Sequence, residues 1–152
     1  MDTPLRIVLD TNTVLALWLF HDPRLTALKA FCEDGTVALH CREDALEELR
    51  RVLAYPQFGA SPDSQATILA IYRNRVEIAP QLGDSAAALP ECRDRDDQKF
   101  LEIARDAAAT HLLTRDKLLL KLARHRLIRD RFAILTPERF LAALPQDNAD
   151  LQ

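Results

Sequence analysis

Short, uninterrupted apolar runs alternate along the chain with longer stretches in which apolar positions recur every three or four residues. The first pattern predicts strands at residues 5–10, 36–40, 76–79, 111–115 and 132–135. The second predicts helices over residues 13–20, 23–32, 42–54, 62–75, 97–108, 117–124 and 137–143. Runs such as "RIVL" and "HLLT" carry no polar alternation, as expected of strands buried on both faces. The expected architecture is therefore α/β, three layers α/β/α around a central parallel sheet of four to five strands. One domain is expected over residues 1–144. Residues 81–93 read as a loop, and "PQDNADLQ", residues 145–152, as a disordered tail.

One residue breaks the pattern where it should be strongest. In "RIVLDTNTVLALWL" Asp10 sits between an apolar strand and an apolar helix, with no Lys or Arg from Thr11 to Phe20. An unpaired carboxylate taken out of water costs several kcal/mol. In a parallel sheet the carboxyl ends of the strands are where ligands gather, and Asp10 ends the first strand. Asp116 follows "HLLTR" and falls at the same edge.

Helical phase sorts the remaining acids. In residues 42–54 the apolar stripe centres on Leu49; at about 100° per residue, Glu48 lies roughly 100° away and Glu47 roughly 160° away. Glu48 can thus reach the rim of the interior, while Glu47 points to solvent. In "DRDDQKFLEIARDAAA" Asp97 lies about 30° from the centre of the apolar stripe, in the first turn. Each acid alone has an ordinary explanation: Asp10, Asp96 or Asp97 as helix cap, Glu48 as a surface acid. Taken together, four acids are steered to one edge or inward with no fixed cation evident among them. Like charges so placed raise one another's pKa unless neutralised, and a hard divalent cation such as Mg²⁺ or Mn²⁺ neutralises them through oxygen ligands.

Composition narrows the choices further. Only 3 of 152 residues are Gly, and neither GxGxxG nor GxxxxGK[ST] occurs, which argues against a glycine-rich phosphate loop. The net charge of −3 leaves a nucleic-acid partner open, but residues 111–131 hold seven Lys/Arg against two Asp. That run is either a solvated helix face or a phosphate-facing patch. Cys32, Cys41 and Cys92 are odd in number and far apart, which suits free thiols in a reducing cytoplasm. No signal peptide or membrane span is expected. His21, His40, His111 and His125 show no ligand spacing, and Trp18 and Phe20 read as core or as a dimer face.

With these residues placed, the chain resembles the PIN-domain family, and more closely the branch of toxin components of bacterial toxin–antitoxin systems akin to VapC-type toxins. The resemblance rests on "RIVLDTNTVLALWL", "EELRRVLAYP", "DRDDQKFLEIARDAAATHLLTRDKLLL" and "FAILTPERFLAAL", in order, over about residues 5–144. It implies a PIN-like fold and a Mg²⁺- or Mn²⁺-dependent endoribonuclease. The family's four acids fall on Asp10, Glu48, Asp97 and Asp116, as catalytic residues and metal ligands, with Asn12, Thr114 and Asp94 in support. At Asp94, Asp96 and Asp97 an additional ligand or a one-step shift stays open. RNA becomes the expected partner, with Arg50, Arg51, Arg115, Lys117 and Lys121 as candidate backbone contacts. The resemblance also implies a cognate antitoxin and a homodimer. Two other readings compete: a PIN-like module that binds without catalysis, and a phosphatase of the haloacid dehalogenase type. The second wants an acid two residues after Asp10, where this chain has Asn12.

Overall fold

The computed structural model describes residues 5–144; the tail predicted at residues 145–152 lies outside the described residues. Five strands form: β1 (Leu5–Leu9), β2 (Val37–Cys41), β3 (Val76–Ile78), β4 (His111–Leu113) and β5 (Ala133–Leu135). All neighbours pair in parallel in the order β3-β2-β1-β4-β5. The helices are α1 (Thr11–Trp18), α2 (Thr26–Asp34), α3 (Glu43–Leu53), α4 (Pro62–Arg75), α5 (Gln98–Asp106), α6 (Lys117–Leu120) and α7 (Pro137–Ala143). This is the three-layer α/β/α fold expected from the alternation, with a five-stranded sheet. No described helix is long and apolar enough to cross a membrane.

The chain runs outward from β1 through β2 to β3, then crosses back to β4 and runs outward again to β5. The reversal falls between β1 and β4, so a crevice is expected at their carboxyl ends, where the connections part to opposite faces. The register is set by apolar pairs: Ile7 opposite Leu39, Val8 opposite Leu112, Leu9 opposite Leu113, and Leu113 opposite Leu135. Ile7, Leu112 and Leu113 have no solvent exposure. Two backbone bonds carry the ladder past the strand ends, Asp10 N to the Leu113 carbonyl at 3.3 Å and Thr114 N to the Leu135 carbonyl at 3.0 Å. Both polar residues are therefore fixed by the sheet itself.

Helix boundaries depart from the predicted ones where local chemistry outweighs periodicity. α1 begins at Thr11, two residues early, because the Asp10 side chain accepts from Thr13 N and caps it. The helix predicted over 23–32 divides into a 3-10 turn at Pro23–Leu25 and α2, which Gly35 stops at φ +83. The helix predicted from residue 97 starts at Gln98, after a 3-10 turn over Arg95–Asp97. The one predicted over 117–124 keeps only its first four residues. Beyond them Lys121 and Arg124 would continue a row of like charges from Lys117 at helical spacing. The chain instead makes successive i to i+3 turns that bring Ile128 into the core. The basic run is thus mostly turns, not a helix face.

Ile7 sits at the centre of the central strand with no exposure. Ile7→Ala should lower the unfolding free energy in urea by about 2–5 kcal/mol; a loss under about 1 kcal/mol would contradict this packing.

Candidate active site

The carboxyl ends of β1 and β4 hold a chain of hydroxyls and carboxylates. Asp10 is 4 % exposed. Its Oδ1 accepts from Thr13 N at 3.0 Å and Thr13 Oγ1 at 2.6 Å, and its Oδ2 accepts from Thr114 Oγ1 at 2.5 Å. The cap that the sequence allows for Asp10 therefore forms, and no basic side chain is among its partners. Burial pushes its pKa up; the threonine hydrogen bonds oppose this, and the Asp116 charge adds to it.

Thr114, fully buried, joins the two strand ends. While its hydroxyl donates to Asp10, the same oxygen accepts from Asp116 N at 2.9 Å. Asp116 in turn caps α6, accepting from Leu119 N at 3.2 Å. Asp97 comes from the other side, at the junction of the 3-10 turn and α5, close enough for the Asp116 carboxyl to act on it. Its pKa is pushed up to about 7, first by burial, then by Asp116 and by the charges of Asp94 and Asp10. Asp10, Asp97 and Asp116 thus press on one another from three segments of the chain.

Glu48 stands slightly apart. As phase suggested, it lies at the rim of α3, with its side chain 20 % exposed. One oxygen accepts from Thr11 Oγ1 and the other from Lys99 Nζ at 2.6 Å. Lys99 corrects the expectation that no fixed cation stands among the acids: it lies in the first turn of α5, and its long stem spans to α3. Glu47 faces outward and pairs with Arg50 and Arg51.

The other predicted residues distribute unevenly. Asp94 is exposed and accepts from Asp96 N at 3.0 Å, starting the 3-10 turn that carries Asp97. Asn12 is exposed on α1, and the hydrogen bonds of the cluster go to Thr11 and Thr13. Those threonines and Lys99 escaped the sequence reading. Thr13 was readable as the third helical residue after a cap, and Lys99 from its place two residues past Asp97. Arg115 is bound to Asp22 at 2.9 Å and to Glu138 at 2.5 Å. Lys117 and Lys121 are exposed. Beside Lys99 a cleft of about 770 Å³ opens, lined in part by Arg42, Arg93, Arg95, Gln98 and Glu102.

Among the described residues no three His, Cys, Asp or Glu side chains stand together in position to hold a metal ion. A closed protein cage is not what Mg²⁺ requires, since it keeps most of its waters and takes one or two carboxylates. The donor chemistry fits a hard cation of that kind: all-oxygen and several carboxylates, with Asp97 acted on by the charges of Asp116, Asp94 and Asp10.

The raised pKa of Asp97 makes a signed prediction. Between about pH 4 and about 7 the folded chain binds more protons at Asp97 than the unfolded chain, so this group's contribution to stability falls as pH rises. Asp97→Asn should therefore stabilise the metal-free protein at pH 8, on the order of 1 kcal/mol or about 2–4 °C in Tm after solvent screening. The gain should vanish at pH 4, measured by thermal unfolding at both values. A variant no more stable than the wild type at pH 8 would contradict the clustering.

The chain matches no curated protein and no solved structure. The PIN domain family model, however, matches it from residue 6 to residue 118, a span that takes in β1 from its second residue, Asp10, Glu48, Asp97, β4 and Asp116. PIN domains are in general nucleases that use divalent metals such as Mg²⁺. By this match over most of its length, the chain belongs to the PIN domain family.

Proposed function

We propose that the protein is a Mg²⁺- or Mn²⁺-dependent endoribonuclease, with Asp10, Glu48, Asp97 and Asp116 at its reaction centre. The observation that carries the reading is the convergence of Asp10, Asp97 and Asp116 at the β1/β4 switch point with no basic side chain on Asp10. A cluster that raises its own pKa values and gains nothing in stability from doing so is the mark of a functional site.

A divalent ion held by these carboxylates would lower the pKa of an attacking water and offset charge on the phosphate. The residues of the chain do the rest. Thr13 and Thr114 fix both Asp10 oxygens, so the carboxylate is oriented before any ligand arrives. Asp97, whose pKa burial and the neighbouring acids push up, would lose its proton when an ion is taken up. Exposed Lys117 and Lys121 on one side, and Arg93 and Arg95 at the cleft on the other, offer cations to a polyanion passing over the acids. Arg50, Arg51 and Arg115 are engaged by carboxylates and would have to exchange partners to join them.

The finer reading is a toxin of a toxin–antitoxin pair, acting with a cognate antitoxin and as a homodimer. It is supported by the resemblance over about residues 5–144. It is also supported by an exposed aromatic group suited to protein contact: Phe20, 54 % exposed, stands edge-on to Phe58 at 5.4 Å, with Tyr55 stacked at 5.9 Å. Trp18, by contrast, is core, packed on Tyr72.

Purified protein should cleave single-stranded or structured RNA with Mg²⁺ or Mn²⁺ and stop when EDTA is added. Asp97→Asn and Asp116→Asn should each lower the rate by about 10²-fold or more. Cleavage that survives EDTA, or that either variant leaves intact, would overturn the assignment.

A further inference from the structure

The segment that delivers Asp97 is fastened from the far side by one side chain. Between β3 and α5 the chain forms only two 3-10 turns, Gly83–Ser85 and Arg95–Asp97. Two arginines steady its middle: Arg105 donates to the Ala87 carbonyl and Arg131 to the Ala88 carbonyl, each at 3.2 Å. Beyond them the chain turns inward, with Pro90 and Cys92 buried and Glu91 exposed between them. Backbone groups of a buried, irregular segment need partners, and here two of them find the same one. Gln98, the first residue of α5, donates from Nε2 to the Pro90 carbonyl at 3.1 Å. Through Oε1 it accepts from Cys92 N at 2.7 Å. The two roles cannot be exchanged, because an amide N–H only donates and a carbonyl only accepts, so the side-chain amide has one orientation.

Gln98 thereby closes residues 90–98 into a ring, and Asp97 stands at the point of closure. Inside the ring, Asp94 Oδ1 accepts from Asp96 N at 3.0 Å and the Asp94 carbonyl accepts from Asp97 N at 3.1 Å. Those bonds join near neighbours and set only the shape of the turn. The bonds of Gln98 tie its far end to α5, whose Phe100 and Leu101 are anchored in the core. An apolar side chain at this position would leave the Pro90 carbonyl and the Cys92 amide unpaired, and the segment would have to shift to reach water.

We infer that Gln98 is a positioning residue that clamps the turn over residues 90–97 to α5 and so presents Asp97 to the reaction centre in one place. It acts through Asp97, on backbone groups of the chain. The inference rests on the nuclease reading above and deepens it.

Amide hydrogen exchange and steady-state RNA cleavage, both on the full chain, test it. Gln98→Met keeps the length of the side chain and removes both bonds. The amides of Cys92 and Asp97 should then exchange about tenfold or more faster, while those of Val8 and Leu112 keep their rates. The kcat should fall by about tenfold or more, with KM within about twofold of the wild type. Gln98→Glu keeps the acceptor for Cys92 N and lacks the donor to Pro90; it should retain protection at Cys92 and recover part of the lost kcat. Gln65→Met removes a similar bond on α4, from Gln65 Nε2 to the Ala60 carbonyl at 2.9 Å, and should leave kcat unchanged. Unchanged exchange at Cys92 in Gln98→Met, or a wild-type kcat once the turn has opened, overturns the inference while sparing the nuclease reading. So does a loss confined to KM, which would make Gln98 a substrate contact in the cleft. A wild type that cleaves no RNA overturns both.

Discussion

The carboxylate of Asp10, buried at the end of the central strand, is the constraint around which this edge of the molecule is organised. It cannot be solvated, and it has no cation, so its oxygens are satisfied by whatever the fold can bring. Thr13 arrives by helical spacing from the next element; Thr114 arrives from the neighbouring strand, more than a hundred residues along the chain. One carboxylate thereby caps a helix and ties β1 to β4. Thr114 in turn orients Asp116, and Asp116 meets Asp97. The hydrogen bonds lower the cost of burying Asp10 without cancelling its charge, and in the proposed function that residual charge is what a cation would answer.

Cationic groups around this edge serve two different ends. Lys99 is sequestered by Glu48. Arg115, although adjacent to Asp116, turns away from it into a network with Asp22, Arg24 and Glu138 that joins the turn after β4 to the start of α7. Asp116 is thus kept free of the arginine next to it in sequence. Lys117, Lys121, Arg93 and Arg95 are exposed. In the proposed function, separation of charge is the working principle: negative groups collected at the centre, positive groups held at the margins.

The sheet was legible because its strands are apolar on both faces and bounded by polar residues, and all five formed within a residue or two of their expected places. Asp10 was legible for the opposite reason, as a charge where the pattern demanded none. Glu48 was separable from Glu47 by helical phase, whereas phase set Asp97 near the apolar stripe without deciding between it and its neighbours Asp94 and Asp96. Lys99 was not legible, because a lysine in a first helical turn is ordinary, and what distinguishes it is a partner on α3 that periodicity does not locate. Residues 121–124 were misread as helix because helical periodicity does not reveal the turns that follow α6 and lead to buried Ile128. Arg115 could not be told from its neighbours without knowing that Asp22 and Glu138 approach from distant segments.

The central claim is that the clustered acids at the β1/β4 switch point are the place a divalent cation goes. The most direct measurement is amide NMR of the full chain as Mn²⁺ is added below one equivalent, because the unpaired electrons of Mn²⁺ broaden the signals nearest to it first. The account predicts that the amides of Asp10, Asp97, Thr114 and Asp116 broaden together, before any others. Broadening that starts instead at exposed acids such as Glu33 and Asp34, or that spreads evenly over the chain, would contradict it.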